Sequence, residues 1–293
     1  MEREDHVIPG AFEYHRPGSV DEAVALLAQH GDEAQLLAGG HSLIPMMKLR
    51  MAQPGHIVDL QDVAALRGIE QAGETLRLGA LVTQKEIVDS EHLTEVCPIL
   101  RETALMVADP QVRYCGTIGG NVANGDPGND MPAVMQALNA SYRLQGPNGI
   151  RDVAARDFYE AAYFTAWAED EVLTEVLIPV PAAGHGAAYE KQKRKVGDYA
   201  TAAAAVLLEM ANGRCTAAAI ALTNVGDTPL FAEAAGAALV GTEVDQAAIA
   251  EAVRQAEAIT RPASDGRGPA DYRTRIAGVM VHRAITRAHD RSA

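Results

Sequence analysis

The chain has 293 residues, 48% of them hydrophobic and 22% charged, and its 39 acidic and 25 basic residues give a net charge of −14. This composition is typical of a folded protein of one or two domains, and it excludes intrinsic disorder and a global basic surface for nucleic acid. The longest apolar stretch, Ala200–Leu208, is about half as long as a membrane-spanning helix. The first residues lack the pattern of a secretory signal, so we expect a cytoplasmic protein without a transmembrane segment.

The first half of the chain alternates predicted helices and strands. Ser19 and Glu22 indicate a capping box for a helix that ends near Gly31, and Thr83 begins a second capping box. A longer helical segment, Leu93–Val107, is expected to kink or restart at its internal proline. The predicted strands are Gln35–Ala38, His56–Leu60, Leu76–Leu81, Ser141–Leu144, Ile150–Val153 and Val172–Val180.

A short segment rich in proline and small residues, Pro181–Gly184, is the predicted domain boundary, which gives domains 7–181 and 184–290. Beyond it, an Asn-Gly pair predicts a hairpin between Ala200–Met210 and Arg214–Thr223, although their alanines also favour helix. Three helices should follow: one with Thr228 as N-cap that runs to about Gly241, then Asp245–Ile259 and Ala270–His289. The predicted fold class is therefore α+β, with antiparallel strands and three helices in the second, smaller domain.

Two glycine-rich segments are the first candidates for a binding site. They are Ala38-Gly39-Gly40-His41-Ser42, which follows a predicted strand, and Thr117-Ile118-Gly119-Gly120-Asn121. Consecutive glycines let backbone N–H groups point into one concavity, which binds anionic oxygens such as those of a diphosphate. Each segment alone is also compatible with an ordinary tight turn. Neither follows the dinucleotide fingerprint of a Rossmann fold or the phosphate-binding P-loop pattern.

Three further residues carry both a structural and a functional interpretation. Asp130 lies in a loop rich in glycine and proline, where it either caps the next helix or accepts hydrogen bonds from ligand hydroxyls. Lys191 begins a run of four cations that is either solvated or directs one cation toward a ligand such as a flavin. Tyr199 either packs in the core or stacks on an aromatic ring.

Metal chemistry is not expected in this chain, and we predict neither a metal site nor a catalytic side chain. The three cysteines, Cys97, Cys115 and Cys215, form no CxxC motif, which suits a reducing compartment. An iron–sulfur cluster normally needs four protein ligands, so this chain alone should not hold one. The nine histidines show no zinc-binding spacing.

Four segments of the sequence resemble the FAD-binding medium subunits of the molybdenum hydroxylases. They are AGGHSLIP (38–45), ADPQVRYCGTIGGNVANGDPGNDMPA (108–133), YEKQKRKVGDYATAAAAV (189–206) and ITRPASDGRGPADYRTRIAGVMVHRA (259–284). The resemblance covers about Ile8 to Ala288. Within the family, it is strongest to the branch that serves aerobic, molybdenum-containing carbon monoxide dehydrogenases.

The resemblance implies a two-lobed FAD-binding domain of the vanillyl-alcohol-oxidase (PCMH) type, followed by a flavoprotein C-terminal domain. Carried over by position, Ala38–Ser42 and Thr117–Asn121 would hold the FAD diphosphate, and Asp130 would bond the ribityl chain or nearby polar atoms. Leu173 would pack on the adenine side, Lys191 would approach the flavin, and Tyr199 would lie on the isoalloxazine ring.

The same resemblance implies a role within a larger assembly. A small subunit with [2Fe–2S] clusters and a large subunit with a molybdenum cofactor would be the partners, in a dimer of heterotrimers. Electrons would pass from the clusters to FAD and then to a quinone, which allows the complex to associate with a membrane.

Three alternative functions are compatible with the same residues. The chain could serve a molybdenum hydroxylase that oxidises an N-heterocycle or an aldehyde, which the sequence of the large subunit would reveal. It could be a nicotinamide-dependent flavoenzyme, although the sequence shows no second dinucleotide motif. It could also be a non-enzymatic scaffold, which flavin absorbance in the purified chain would exclude.

Overall fold

The computed structural model describes residues 8–292, and its N-terminal lobe is a parallel sheet of three strands in the order β1-β3-β2. The elements of this lobe are β1 (Glu13–His15), α1 (Val20–His30), β2 (Ala34–Leu37), α2 (Leu43–Lys48) and β3 (His56–Asp59). Ser19 caps α1 as predicted, because its side chain accepts a hydrogen bond from the Glu22 N–H. The carboxylate of Glu22, however, accepts the N–H of Gly18 rather than that of Ser19, so the predicted capping box is shifted by one residue.

The second lobe is built on a fully antiparallel sheet in the order β4-β5-β10-β6-β7. Its strands, with a separate small hairpin of β8 and β9, are β4 (Ile69–Ala72), β5 (Thr75–Gly79), β6 (Ser141–Gly146), β7 (Gly149–Ala154), β8 (Tyr159–Ala161), β9 (Phe164–Thr165) and β10 (Val172–Pro179). Its helices are α3 (Gln84–Asp89), α4 (Glu91–Val96), α5 (Pro98–Met106), α6 (Pro110–Cys115), α7 (Ile118–Ala123) and α8 (Asp130–Ala137). The capping box at Thr83 and the helix restart at Pro98 are both confirmed.

The last part of the chain forms an antiparallel sheet in the order β11-β12-β13-β14, with three helices. Its elements are β11 (Gly186–Gln192), β12 (Ala202–Ala211), β13 (Arg214–Thr223), β14 (Leu230–Phe231), α9 (Glu233–Ala237), α10 (Gln246–Ile259) and α11 (Ala270–Arg291). The α+β class and the predicted hairpin of β12 and β13 are confirmed.

The alanines of β12 form a strand because both faces of this sheet are covered. Successive side chains of a strand point to opposite faces. Ala203 and Ala205 accordingly belong to the hydrophobic core of the second lobe, whereas Ala202, Ala204 and Val206 belong to the core under the last helices. Helix α8 packs on one face and α11 on the other, so small side chains allow close approach on both sides.

The helix predicted from Thr228 to Gly241 is wrong. Leu230 and Phe231 instead add the strand β14 to the edge of the sheet, opposite Leu222 and Ala221, and α9 begins only at Glu233. A Thr-Pro pair suits the start of a helix, but the fixed φ of proline also suits extended backbone. Pairing with β13 selects the extended alternative.

The chain passes from the second lobe to the last sheet between β10 and β11, in the segment where we predict the domain boundary. The division into 7–181 and 184–290 remains a prediction, and buried side chains of β11 and β12 share a core with α8.

Among residues 8–292, no helix combines the length and apolar character that crossing a bilayer requires.

Candidate functional site

A cavity of about 700 Å³ brings the predicted site residues together. This volume lies within the range of about 300–1,000 Å³ that is usual for small-molecule sites. The predicted residues on its wall are Ala38, Gly39, Gly40, His41, Ser42, Thr117, Gly119, Gly120, Asn121, Asp130, Leu173, Lys191 and Tyr199. Ile118 is the exception, since its fully buried side chain belongs to the core of the second lobe.

The first glycine segment presents backbone donors to the cavity. Gly40 has φ +72°, in the left-handed region that favours glycine, and the chain then turns into α2. A Cβ on Gly39 would lie 2.2 Å from the carbonyl oxygen of Cys115, so only glycine allows this close approach. Within residues 8–292, the N–H groups of Gly39, Gly40, His41 and Ser42 have no hydrogen-bond acceptor. This segment is therefore a cradle suited to anionic oxygens.

The second glycine segment is not the predicted turn with free N–H groups. Thr117 is the N-cap of α7, and the two glycines that follow are helical. The four N–H groups after Thr117 already donate within the protein: Ile118 to Val82, Gly119 to Ala80, and Gly120 and Asn121 to Thr117. This segment thus shapes the wall of the cavity, whereas backbone donors come from the first segment.

Three buried side-chain amide atoms on the cavity wall lack hydrogen-bond partners among the described residues. The side-chain nitrogen and oxygen of Gln84 both lack a partner, although the residue is only 1% exposed. The Oδ1 atom of Asn121 lacks one as well. A buried polar atom without a partner costs about 1–3 kcal/mol, so these atoms fit a polar ligand. No sequence motif points to Gln84, but it lies three residues before the buried Ile87 and so on the inward face of α3.

Asp130 and Lys191, which we predict as separate ligand-facing groups, form a buried ion pair. The Lys191 ammonium donates to Asp130 Oδ2 at 2.7 Å, and their side chains are 1% and 6% exposed. The Tyr189 hydroxyl donates to Asp130 Oδ1 at 2.6 Å. Burial raises the pKa of the Asp130 carboxyl, while the Lys191 ammonium and the Tyr189 hydroxyl oppose that rise. The capping interpretation of Asp130 is wrong, because Asn129 is the N-cap of α8.

Leu173 and Tyr199 contribute apolar surface to the cavity. Leu173 is buried on β10, whereas Tyr199 is 42% exposed and therefore is not a core residue. The Arg267 guanidinium lies 5.8 Å from the centroid of the Tyr199 ring. Burial and the nearby Asp126 carboxylate raise the pKa of Tyr199, so its hydroxyl stays neutral at physiological pH. Because Tyr199 lines the cavity, a ligand bound there can contact its ring.

Two family models match the chain. The FAD binding domain in molybdopterin dehydrogenase matches residues 10–181, and the CO dehydrogenase flavoprotein C-terminal domain matches residues 187–288.

Three similar proteins illustrate how far this similarity extends. The carbon monoxide dehydrogenase medium chain of Afipia carboxidovorans is 60% identical over 98% of this chain and 99% of its own. The caffeine dehydrogenase subunit beta of a Pseudomonas species is 36% identical over 97% of this chain and 96% of its own. A chain in the structure of reconstituted CO dehydrogenase from Oligotropha carboxidovorans superposes with a TM-score of 0.97 and 60% identity, covering 98% of this chain and 100% of its own.

Proposed function

Since this chain belongs to the FAD-binding medium subunits of the molybdenum hydroxylases, we propose that it is the electron-transfer subunit of an aerobic carbon monoxide dehydrogenase. The family is one of oxidoreductases, and its matched domain binds FAD. The single observation that carries the choice of substrate is the 60% identity, over nearly the whole chain, to a medium chain named for carbon monoxide. The caffeine-named relative, at 36%, is far less similar.

The chemistry of the cavity wall suits FAD. Among the described residues, the N–H groups at Gly39–Ser42 are unpaired and suit the diphosphate, and the Gln84 amide and the Oδ1 atom of Asn121 would supply further polar contacts. Gly120 lies on the cavity wall, where a Cβ would meet the Thr117 hydroxyl at 2.9 Å and Ala38 at 4.0 Å and would crowd a bound ligand. Bound FAD would supply the redox chemistry, while the protein positions it and adjusts its electrostatic surroundings.

The remaining assignments follow from the side chains on the wall. We assign Leu173 to the adenine side and Tyr199 to one face of the isoalloxazine ring, since both offer apolar surface. The ion pair with Asp130 holds the Lys191 ammonium in one position. Lys191 therefore faces the cavity as part of a pair of opposite charges and not as a free cation. No side chain needs to act as an acid or base.

The clusters and the molybdenum centre are proposed to belong to partner subunits. Cys97 and Cys215 are buried in different hydrophobic cores, and Cys115 is exposed, so the three thiols do not converge. Burial raises the pKa of Cys97 to about 12, which disfavours the thiolate that binds iron. We propose a cytoplasmic dimer of heterotrimers that delivers electrons through FAD to a quinone and that can contact a membrane through the complex.

Purification of the complex after co-expression with its partner subunits tests this function. We expect one FAD for each copy of this chain. We also expect the complex to reduce an artificial dye when carbon monoxide is supplied. A complex that oxidises an N-heterocycle or aldehyde but not carbon monoxide would establish the alternative substrate. A folded chain that binds no flavin would overturn the proposal itself.

Replacing Gln84 by leucine should weaken FAD binding without destabilising the apoprotein. The variant removes two unpaired polar atoms, so the apoprotein should be equally stable or more stable, by up to about 3 kcal/mol. Two lost hydrogen bonds at about 0.5–1.5 kcal/mol each should weaken FAD binding about 5–150-fold. Fluorescence titration with FAD and thermal unfolding measure the two effects.

Gln136→Leu is the matched control for Gln84→Leu. Gln136 is also buried and its Oε1 atom also lacks a partner among the described residues, but it lies outside the cavity wall, and its Nε2 donates to the carbonyl oxygens of Ala155 and Pro229. Its replacement should leave the affinity for FAD unchanged. Equal FAD affinity in the wild type and Gln84→Leu would contradict the role of Gln84.

Replacing Tyr199 by alanine should alter the flavin more than the fold. Because the side chain is 42% exposed, its loss should cost little stability. An aromatic pair contributes about 0.5–1.5 kcal/mol beyond burial, so FAD affinity should fall about 2–13-fold. The absorbance bands and reduction potential of the flavin should shift as well. A large decrease in the apoprotein midpoint with an unchanged flavin spectrum would refute the stacking role.

A further inference from the structure

Three histidines that lie far apart in the sequence meet at one edge of the N-terminal lobe. They are His15 at the end of β1, His30 at the end of α1 and His56 at the start of β3. The Nε2 atom of His15 lies 3.1 Å from Nδ1 of His56, and the His30 ring stacks on the His56 ring with centroids 3.7 Å apart. One nitrogen from each ring lies within 4.8 Å of the other two. None of the three lines the FAD cavity.

The parallel strand pairing and the helix bring these rings together. His56 is the register partner of Glu13 on the neighbouring strand, and His15 follows Glu13 by two residues, so all three side chains leave the same face of the sheet. Val58 on this face is fully buried with Ala23 and Leu27 of α1. Helix α1 therefore covers the face, and its last residue, His30, lies beside the starts of the strands.

We propose that His15, His30 and His56 form a binding site for a divalent transition-metal ion, with Zn²⁺ as the best-matched ion. Imidazole is the preferred nitrogen ligand of Zn²⁺, Cu²⁺ and Ni²⁺. In a tetrahedral zinc site, Zn–N distances near 2.0–2.1 Å separate the nitrogens by about 3.4 Å. The pair of His15 and His56 already has this spacing, and rotation of the His30 ring brings in the third ligand.

The surroundings of the cluster favour a cation. The Glu13 carboxylate lies 3.6 Å from His56 Nδ1 and is the natural fourth ligand. The C-terminal end of α1, which carries partial negative charge, faces the same point. Both rings bind as neutral imidazoles: one keeps its proton on the nitrogen that does not bind, and the ring that donates in the His15–His56 hydrogen bond moves its proton to its other nitrogen. All three rings are partly exposed, so the ion has access from solvent.

Binding at this site would fasten the edge strand β1 to both α1 and β3. The strand β1 has only three residues and pairs on one side alone, with β3. A metal held by residues of all three elements would restrain β1 within the lobe that carries the Gly39–Ser42 cradle. The expected consequence is a higher thermal midpoint in the presence of the ion.

Titration of the FAD-loaded full chain, stripped of metal with EDTA, tests the site. With ZnCl₂ in a calorimeter, we expect one ion per chain at micromolar affinity or tighter. The variants His30→Gln and His56→Gln should weaken binding by at least about tenfold. The control His92→Gln, an exposed histidine on α4, should bind as the wild type does. CoCl₂ added to the wild type should give the intense visible bands of a tetrahedral site.

Two outcomes would overturn the proposal. One is the absence of saturable zinc binding and of tetrahedral cobalt bands in the wild type, which needs no variant to fold. The other is equal zinc affinity in His56→Gln and His92→Gln, which would place the binding elsewhere on the surface.

Discussion

Replacing Lys191 by methionine is expected to lower the free energy of unfolding by about 3–5 kcal/mol. The side chains of Lys191 and Asp130 are 1% and 6% exposed, and methionine fills a similar volume without a charge. The Asp130 carboxylate would then keep only the Tyr189 hydroxyl as a donor while it stays buried. Removing one partner of such a pair costs far more than the pair contributes. Urea unfolding of the apoprotein measures the change.

A double variant separates the uncompensated charge from the loss of packing. Combining Lys191→Met with Asp130→Asn removes both charges, and the asparagine oxygen can still accept the Tyr189 hydrogen bond. We expect the double variant to regain much of the lost stability, as a double-mutant cycle would show. Arg275→Ala, which breaks the exposed pair with Asp271, should change stability little. A loss below about 1 kcal/mol in Lys191→Met would mean that water reaches the carboxylate.

Replacing Gly119 by valine should destabilise the second lobe severely. A Cβ at this position would lie 2.6 Å from the Cβ of Ala80 and 2.7 Å from its carbonyl oxygen. The Gly119 N–H donates to that same oxygen, which directly follows β5, so the clash would also break the hydrogen bond that joins α7 to this strand end. Overpacking of about 1–3 kcal/mol and the lost hydrogen bond together give an expected loss of about 2–5 kcal/mol. Thermal unfolding of the apoprotein is the measurement.

The adjacent Gly120 provides the matched control. Its Cβ would lie 2.9 Å from the N-cap hydroxyl of Thr117 and 4.0 Å from Ala38, with no backbone atom as close as those that Gly119 would meet. Gly120→Ala should therefore cost less stability than Gly119→Val, because a side-chain hydroxyl can shift and alanine has the better helix propensity, and it should weaken FAD binding by occupying space on the cavity wall. Strong destabilisation by Gly120→Ala, or a stable Gly119→Val, would contradict this division between the two glycines.

Local signals account for much of the fold that could be predicted from the sequence. The capping residue Thr83, the restart at Pro98 and the hairpin turn at Asn212-Gly213 each act over a few residues, so their chemistry is complete within the segment. The Gly39-Gly40 pair is also a local signal, because glycine readily adopts the positive φ that Gly40 has. The Thr228 signal failed because pairing with the preceding strand, β13, selected the extended one of two backbone conformations that the fixed φ of proline allows.

The α+β class and the family could be predicted from the sequence, and thirteen of the fourteen predicted site residues line the cavity, because these predictions depend on residue types and short spacings. How those residues are used depends on the tertiary fold. It paired Asp130 with Lys191 across 61 positions, buried the Gln84 amide without a partner, and gathered three histidines from three elements. The physical reason is that each of these outcomes depends on burial and on contacts between segments distant in the chain. Local propensity carries no information about such contacts.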